Sequence, residues 1–255
     1  MDGPIYIVSD NHFSMNNNDL EKSRRNKLFK VFDKIKTEFS IQDSKMCNVI
    51  LGGDFFDYWF EYNHTIPSGY DTILESLKQL TDIGIKVHFV VGNHDYWDFG
   101  YLNKTIGITV YKTNLDFKFN NQKILLTHGD GLLNKDYGYK ILKIIIRSRL
   151  FIALFKLFPA NLTCYLAKKI SKSSSNYNHH DKNVNIIKHD IGAYAKKQWD
   201  RGYDAVLVGH YHQTGIISNN KKKLIYLGDW LSKFTVTALT NGGYWQGDWK
   251  EFLDI

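Results

Sequence analysis

Short apolar, β-branched runs recur along the chain, each closed by a turn signal: IYIVSD (5–10), NVILGGD (48–54), VHFVVGN (87–93), KILLTHGD (123–130), AVLVGHYH (205–212) and LIYLGD (224–229). Such brief runs ending in Gly, Asn or Asp predict buried strands. Between the early ones the period lengthens to that of a helix. Leu28, Val31, Phe32, Ile35 and Phe39 share a face over 20–39, and Ile73, Leu77 and Leu80 do so over 72–83. The alternation predicts an α/β fold in layers. Later strands, FTVTAL (234–239) among them, follow without helices between them. They predict a second sheet packed on the first, with helices outside. Over 132–190 the β signal nearly vanishes. Helical patterning there is divided by Pro159, whose ring a helix interior rejects, and by the polar tract SKSSSNYNHHDKN (171–183). This predicts a helical insertion, with a corner at 158–161, inside a single domain covering 1–255.

Composition narrows the class. Hydrophobic residues make up 43% and aromatics 15% of the 255 residues, too much apolar material for a solvated coil. The two cysteines, Cys47 and Cys164, lie far apart and offer neither a disulfide framework nor a zinc cluster, which suits a reducing compartment. The N-terminus enters its first strand within four residues, leaving no room for a signal peptide. The longest apolar region, 141–158, is cut by Lys143, Arg147, Arg149 and Lys156, so it does not predict a membrane span. A cytoplasmic protein is expected.

The formal charge is +7, from 33 Lys and Arg against 26 acids. A basic, aromatic-rich chain invites a nuclease reading, with lysines along a groove and steeply salt-dependent binding. The excess is local, however: 132–190 holds 11 basic against 3 acidic residues, and the remainder is close to neutral. Lys140, Lys143 and Arg147 fall on one helical face there. That face is expected either to rest near anionic lipid headgroups or simply to be solvated. Ile144, Ile145, Leu150, Phe151, Leu154, Phe155, Leu157, Phe158, Leu162 and Leu166 either line a slot for acyl chains or pack the insertion on itself.

Five strand ends carry metal-ligand chemistry. They are Asp10 and His12 in DNH, Asp54 in GDFFD (53–57), Asn93 in GNHD (92–95), His128 in THGD (127–130), and His210 and His212 in GHYH (209–212). Singly, each is an ordinary turn, cap or structural histidine. Together they gather oxygen and imidazole donors where open α/β sheets collect ligands. Mixed N/O donors without thiolate favour Mn²⁺, with Fe²⁺ or Zn²⁺ next, and the number of side chains suits two ions. Paired cations ~4 Å apart acidify water and clamp phosphoryl oxygens, the chemistry of phosphoester or phosphoanhydride hydrolysis. His94 is expected just outside the metal shell as a proton donor to the leaving oxygen, with Asp95 fixing its tautomer. Direct ligation by His94 is the alternative.

In order and spacing, DNH, GDFFD, GNHD, THGD and GHYH resemble the motifs of the calcineurin-like metallophosphoesterases, from residue 5 to about 230. The resemblance implies two β-sheets sandwiched between helices. It gives Asp10, His12, Asp54 and His212 to one metal, and Asp54, Asn93, His128 and His210 to the other. GDFFDYWF, HGDGLLNKDYGY (128–139) and the basic helical insertion are similar to the enzymes of lipid A biosynthesis that hydrolyse UDP-2,3-diacylglucosamine to 2,3-diacylglucosamine 1-phosphate (lipid X) and UMP. By that likeness the insertion 132–190 is a lid, and the protein sits peripherally on the cytoplasmic face of the inner membrane without nucleic acid as a partner. Asn93, His94, Asp136, Tyr139 and His210 would touch substrate, and counting back from His210 adds Lys172, Ser175 and Lys182. Well-known members carry Arg where this chain has His94. A calcineurin-like core acting on a nucleotide, another UDP-sugar or a phosphoprotein is the rival reading; a soluble substrate gives no reason for an apolar, basic cap.

Overall fold

A computed structural model describes residues 1–41, 46–62, 65–158 and 184–255. Its first sheet has the order β11-β10-β1-β2-β3-β4, with β1 (Ile5–Val8), β2 (Asn48–Leu51), β3 (Lys86–Val90) and β4 (Thr109–Tyr111) parallel. β10 (Thr235–Thr240) and β11 (Gly243–Asp248) complete it in antiparallel sense. The second sheet runs β5 (Leu115–Phe119), β6 (Gln122–Thr127), β7 (Ala205–Val208), β9 (Lys222–Leu227), β8 (Thr214–Asn219). Its central strands β6, β7 and β9 are parallel.

Side-chain alternation along the strands builds the layers. Ile5 and Ile7 of β1 face the second sheet, meeting Ile124, Leu126, Leu207 and Ile225. Tyr6 and Val8 face the other way, onto Leu28, Val31, Phe32 and Ile35 of α1 (Asp19–Ile41) and Leu77 of α2 (Asp71–Asp82). On the far side, Val206, Val208, Leu224 and Tyr226 are covered by Ile187, Ile191 and Ala195 of a helix, Val184–Asp200. The expected two-sheet sandwich between helices is what the chain forms.

Two expectations change. The strand at 234–239 does not extend the second sheet; as β10 it pairs antiparallel with β1, Ile5 opposite Leu239, and closes the first sheet. The helix Val184–Asp200 runs straight through residue 190, where the insertion was expected to end, and it is the crossover between the parallel strands β6 and β7. Its buried face belongs to the body. Before it, α3 (Tyr137–Ile146) and α4 (Arg149–Phe155) contain no buried residue, and Ile144, Leu150 and Leu157 are exposed to 73%, 71% and 80%. The expected corner at Pro159, Cys164, Leu162, Leu166 and the polar tract lie outside the described residues.

β5 alternates as a half-buried strand: Leu115, Phe117 and Phe119 are buried, Asp116 and Lys118 exposed. His88, on β3, bridges the first sheet, with Nε2 3.2 Å from Asn48 Oδ1 and Nδ1 3.1 Å from the Tyr111 hydroxyl. Burial, reinforced by Lys86, pushes its pKa down to about 4. Between that value and ~6.5 the unfolded chain binds the extra proton, so stability rises with pH through this window and is lost as pH falls. Urea unfolding should therefore show the protein losing about 1–2 kcal/mol between pH 7 and 4.5 through this group, discounted for solvent screening. In His88→Leu the pH-dependent component should shrink.

Candidate dimetal centre

Each expected ligand stands just past the C-terminal end of a parallel strand, and the backbone there is unusual. Among the described residues nine non-glycine positions have positive φ, and five are Asp10 (52°), His12 (44°), Asp54 (49°), His210 (65°) and His212 (52°). Such conformations cost ~1–3 kcal/mol each and persist only where surrounding structure over-determines them. Here it does. The N–H groups of Asp10, His12 and Phe13 donate to the carbonyls of Gly53, Asp54 and Phe55, zipping the first ligand loop onto the second. Gly92 explains itself by proximity: a Cβ there would lie 2.1 Å from Asp54 Oδ1. At Gly53, with φ +103°, a Cβ would meet the His128 ring at 2.3 Å.

All seven expected ligands converge. Asp10 is fully buried and Asp54 nearly so. His12 Nε2 lies 3.7 Å and His128 Nε2 3.3 Å from the same oxygen, Asp54 Oδ2, so this carboxylate stands between two groups of donors. Asp10 Oδ1 lies 3.7 Å from His212 Nε2, and His128 Nε2 lies 3.3 Å from Asn93 Oδ1. Among the described residues three sets close to within 4.8 Å: Asp10, His12 and His212; His12, Asp54 and His94; Asp54, His128 and His210. Separations of 3.7 Å are too long for hydrogen bonds. They approach the ~3–3.5 Å between atoms that share one ion at ~2.1 Å. The donor set is oxygen and imidazole throughout, which fits hard to borderline divalent cations.

The electrostatics agree. Burial alone would raise Asp54, but the His128 and His94 imidazoles outweigh it and hold the carboxyl well below its usual range. Burial opposes the proton on His128, and the Asp54 carboxylate overcomes it, lifting that imidazole to about 10. Burial raises Asp10, which accepts from the His210 backbone N–H at 2.9 and 3.0 Å and from the Ser9 hydroxyl at 2.7 Å. His12 is driven well down by burial and by His94. Cations would take the place of these shared protons.

His94 lies at the edge, its ring 4.7 Å from that of His12. Its Nδ1 sits 2.8 Å from the Asp57 carbonyl and 3.6 Å from Asp57 Oδ1. Burial disfavours the imidazolium, but the Asp54 and Asp57 carboxylates and that carbonyl raise its pKa, favouring a proton on the ring. The expected tautomer-fixing role of Asp95 is corrected. Asp95 is fully buried and accepts the backbone N–H groups of Phe55 (2.6 Å), Phe56 (3.2 Å) and Gly92 (2.7 Å), clasping the second and third ligand loops together. Asp57, in the same GDFFD motif, holds the imidazole instead.

The basic stripe, expected either near anionic headgroups or simply solvated, does neither at Lys143 and Arg147. Lys143 Nζ and Arg147 Nη2 reach inward to Asp130 Oδ2 at 2.8 and 3.0 Å, where the Tyr139 hydroxyl also donates at 2.9 Å. Arg147 also donates to the Gly92 carbonyl at 3.1 Å and lies over the Tyr96 ring. Lys140 reaches back to the Asn134 carbonyl at 3.4 Å. Opposite charge on a buried carboxylate outweighs the solvent, so these residues tie α3 to the strand ends. Asp130 was legible as the acid of THGD facing two cations spaced i, i+4. Tyr139 lies near the centre, its ring 6.2 Å from His210, while Asp136 stands at the start of α3. Lys172, Ser175 and Lys182 fall outside the described residues.

The family described as calcineurin-like phosphoesterase matches residues 3–214. A Porphyromonas gingivalis protein named UDP-2,3-diacylglucosamine hydrolase is 27% identical over 251 residues, covering 91% of this chain and 92% of its own. A Pseudomonas entomophila protein of the same name is 28% identical over 182 residues, covering 70% of this chain and 75% of its own. An archaeal phosphodiesterase of solved structure superposes more loosely, at TM-score 0.44 and 16% identity, covering 95% of this chain and 98% of its own.

The clasp at Asp95 is testable apart from turnover. Asp95→Asn turns an NH₂ group toward at least one backbone N–H, and should lower the stability of the metal-free protein by about 1–3 kcal/mol in urea unfolding. Unchanged stability with a displaced pH profile of activity would instead restore the role beside His94.

Proposed function

The chain belongs to the calcineurin-like phosphoesterase family, and we propose that within it the protein is a UDP-2,3-diacylglucosamine hydrolase of lipid A biosynthesis. It cleaves the pyrophosphate to release UMP and 2,3-diacylglucosamine 1-phosphate. One observation carries the reading: the ligand cluster lies beside a helical pair that keeps Ile141, Leu142, Ile144, Ile145, Leu150 and Leu154 exposed and is tied down at Asp130, two residues from His128. A diphosphate with two acyl chains needs both surfaces at once. The names of the two relatives support the same substrate.

Asp10, His12, Asp54 and His212 would hold one cation, and Asp54, Asn93, His128 and His210 the other, Mn²⁺ being the preferred ion. Bound there, divalent cations supply Lewis acidity toward water and phosphoryl oxygens. The chain's own groups do the rest. His94, with Nδ1 engaged by the Asp57 carbonyl and its pKa raised, holds a proton for the leaving phosphate oxygen. Tyr139 and Asp136 line the approach from α3, with Lys172, Ser175 and Lys182 completing the substrate contacts. The insertion expected over 132–190 would act as a lid on the rest of the domain, with α3 and α4 as its described part. The exposed apolar residues of α3 and α4 offer a surface for acyl chains and for peripheral contact with the cytoplasmic face of the inner membrane. No helix among the described residues is long and apolar enough to cross a membrane.

Purified protein with Mn²⁺ should release UMP from UDP-2,3-diacylglucosamine and far less from UDP-N-acetylglucosamine. Equal turnover, or activity only on the unacylated sugar, contradicts the lipid assignment. Asp54→Asn should bring turnover to background while circular dichroism stays unchanged; retained activity would remove Asp54 from its place between the cations.

A further inference from the structure

The two cation positions are not built alike. Behind Asp10, His12 and His212 stands a set of residues that holds the ligand loops by their carbonyls. Three successive carbonyls, of Asp10, Asn11 and His12, are engaged from one side. The Trp230 backbone N–H donates to the Asp10 carbonyl at 3.1 Å. The Arg24 guanidinium donates to the Asn11 carbonyl through Nη2 and leans on the His12 carbonyl through Nη1 at 3.4 Å. Arg24 and Trp230 also lock each other: Arg24 Nε donates to the Trp230 carbonyl at 3.3 Å, and the Trp230 indole N–H donates to the Arg24 carbonyl at 3.0 Å. Glu21 fixes the guanidinium from α1, 2.7 Å from Nη1.

The same turn reaches the third ligand. Lys233 Nζ donates to the His212 carbonyl and lies 3.8 Å from Asp229 Oδ2, which itself stands 4.0 Å from His212 Nδ1. Asp229 in turn accepts the N–H groups of Leu231, Ser232 and Lys233, fixing the turn that carries the lysine. Thus the carbonyls of Asp10, His12 and His212, all three at positive φ, are held by one assembly. Around Asn93, His128 and His210 the supports are different: the Gly52 carbonyl on His128 Nδ1, and Asp10 on the His210 N–H.

We propose that Arg24, Trp230 and Lys233 are positioning residues that set the affinity of the Asp10, His12, His212 cation position separately from the Asn93, His128, His210 position. The inference rests on the two-cation reading of the site. Held carbonyls keep three left-handed ligand residues in place before any ion arrives, so the ordering cost is met in folding rather than in binding. The second position meets this brace only indirectly, through the Asp10 carboxylate on the His210 N–H, so its dependence is weaker. The sign of the effect separates positioning from charge. Lys233 and Arg24 are cations near a cation site, so removing their charge would, by Coulomb's law alone, tighten binding. Removing a brace weakens it.

The test is Mn²⁺ titration of the chelator-treated full chain, read as ions bound per chain and as the electron paramagnetic resonance signal of the ion. The variants are Lys233→Met, Trp230→Phe and Arg24→Lys, the last keeping the charge while losing the planar fork. Each is made also in a His128→Ala and in a His12→Ala background, which disable one position at a time. The expected result is that one of two ions weakens by about 10- to 100-fold. The loss should appear in full in the His128→Ala background and be at most a few-fold in the His12→Ala background. Melting temperatures of the metal-free variants report any general loss of structure, which would weaken both backgrounds alike. Equal weakening of both positions, unchanged affinity, or tighter binding in Lys233→Met overturns the brace. A wild-type chain that takes up no divalent cation overturns the two-cation reading, and the brace with it.

Discussion

Two buried carboxylates, Asp10 and Asp54, dominate this protein. Removing a carboxylate from water costs several kcal/mol unless opposite charge and hydrogen bonds replace the solvent. The surrounding chain supplies them. Asp10 takes the His210 N–H and the Ser9 hydroxyl and faces the His212 imidazole, while Asp54 takes the His94 N–H and faces the imidazoles of His12 and His128. To bring those groups in, the backbone adopts left-handed conformations at five ligand residues. At ~1–3 kcal/mol each, they reach the scale of a whole domain's net stability, ~5–15 kcal/mol. Three apolar layers outside the site, between the sheets and under the helices on either side, are what allow such a centre to exist. Divalent cations held by Asp10 and Asp54 would offset their charge.

The same electrostatic logic shapes the approach to the site. Asp130, another largely buried acid, draws Lys143, Arg147 and Tyr139 inward, so α3 docks by its polar side and turns its apolar side out. Trp97 adds a bond from its indole N–H to the Ile146 carbonyl, and Phe155 of α4 packs its ring 4.9 Å from that of Phe60. Docked this way, α3 is inverted relative to an ordinary surface helix, which buries its apolar stripe. The inversion suits a substrate that is ionic at one end and apolar at the other.

Much of this could be read in the sequence because it follows from local rules. Strand runs end in glycine, asparagine or aspartate, so the motif residues had to stand at strand ends, and all seven expected ligands meet there. What escaped depended on partners distant in sequence. FTVTAL carries no mark of which sheet it joins; only the pairing of Ile5 with Leu239 decides it. Asp95 looked like the natural companion of its neighbour His94, yet adjacent residues at a turn point apart, and Asp57 arrives from another loop. A periodic Lys–Arg stripe is the same pattern whether it faces lipid or a buried Asp130. The helix Val184–Asp200 lost its boundary because helical spacing does not reveal which sheet a face will cover.

The central claim is that Asp54 stands between two cations rather than beside one. Anomalous diffraction from crystals grown with Mn²⁺ tests this directly. The account predicts two peaks ~4 Å apart, one toward Asp10, His12 and His212, the other toward Asn93, His128 and His210, with Asp54 Oδ2 between them. A single peak, or two that leave Asp54 outside both, would contradict it.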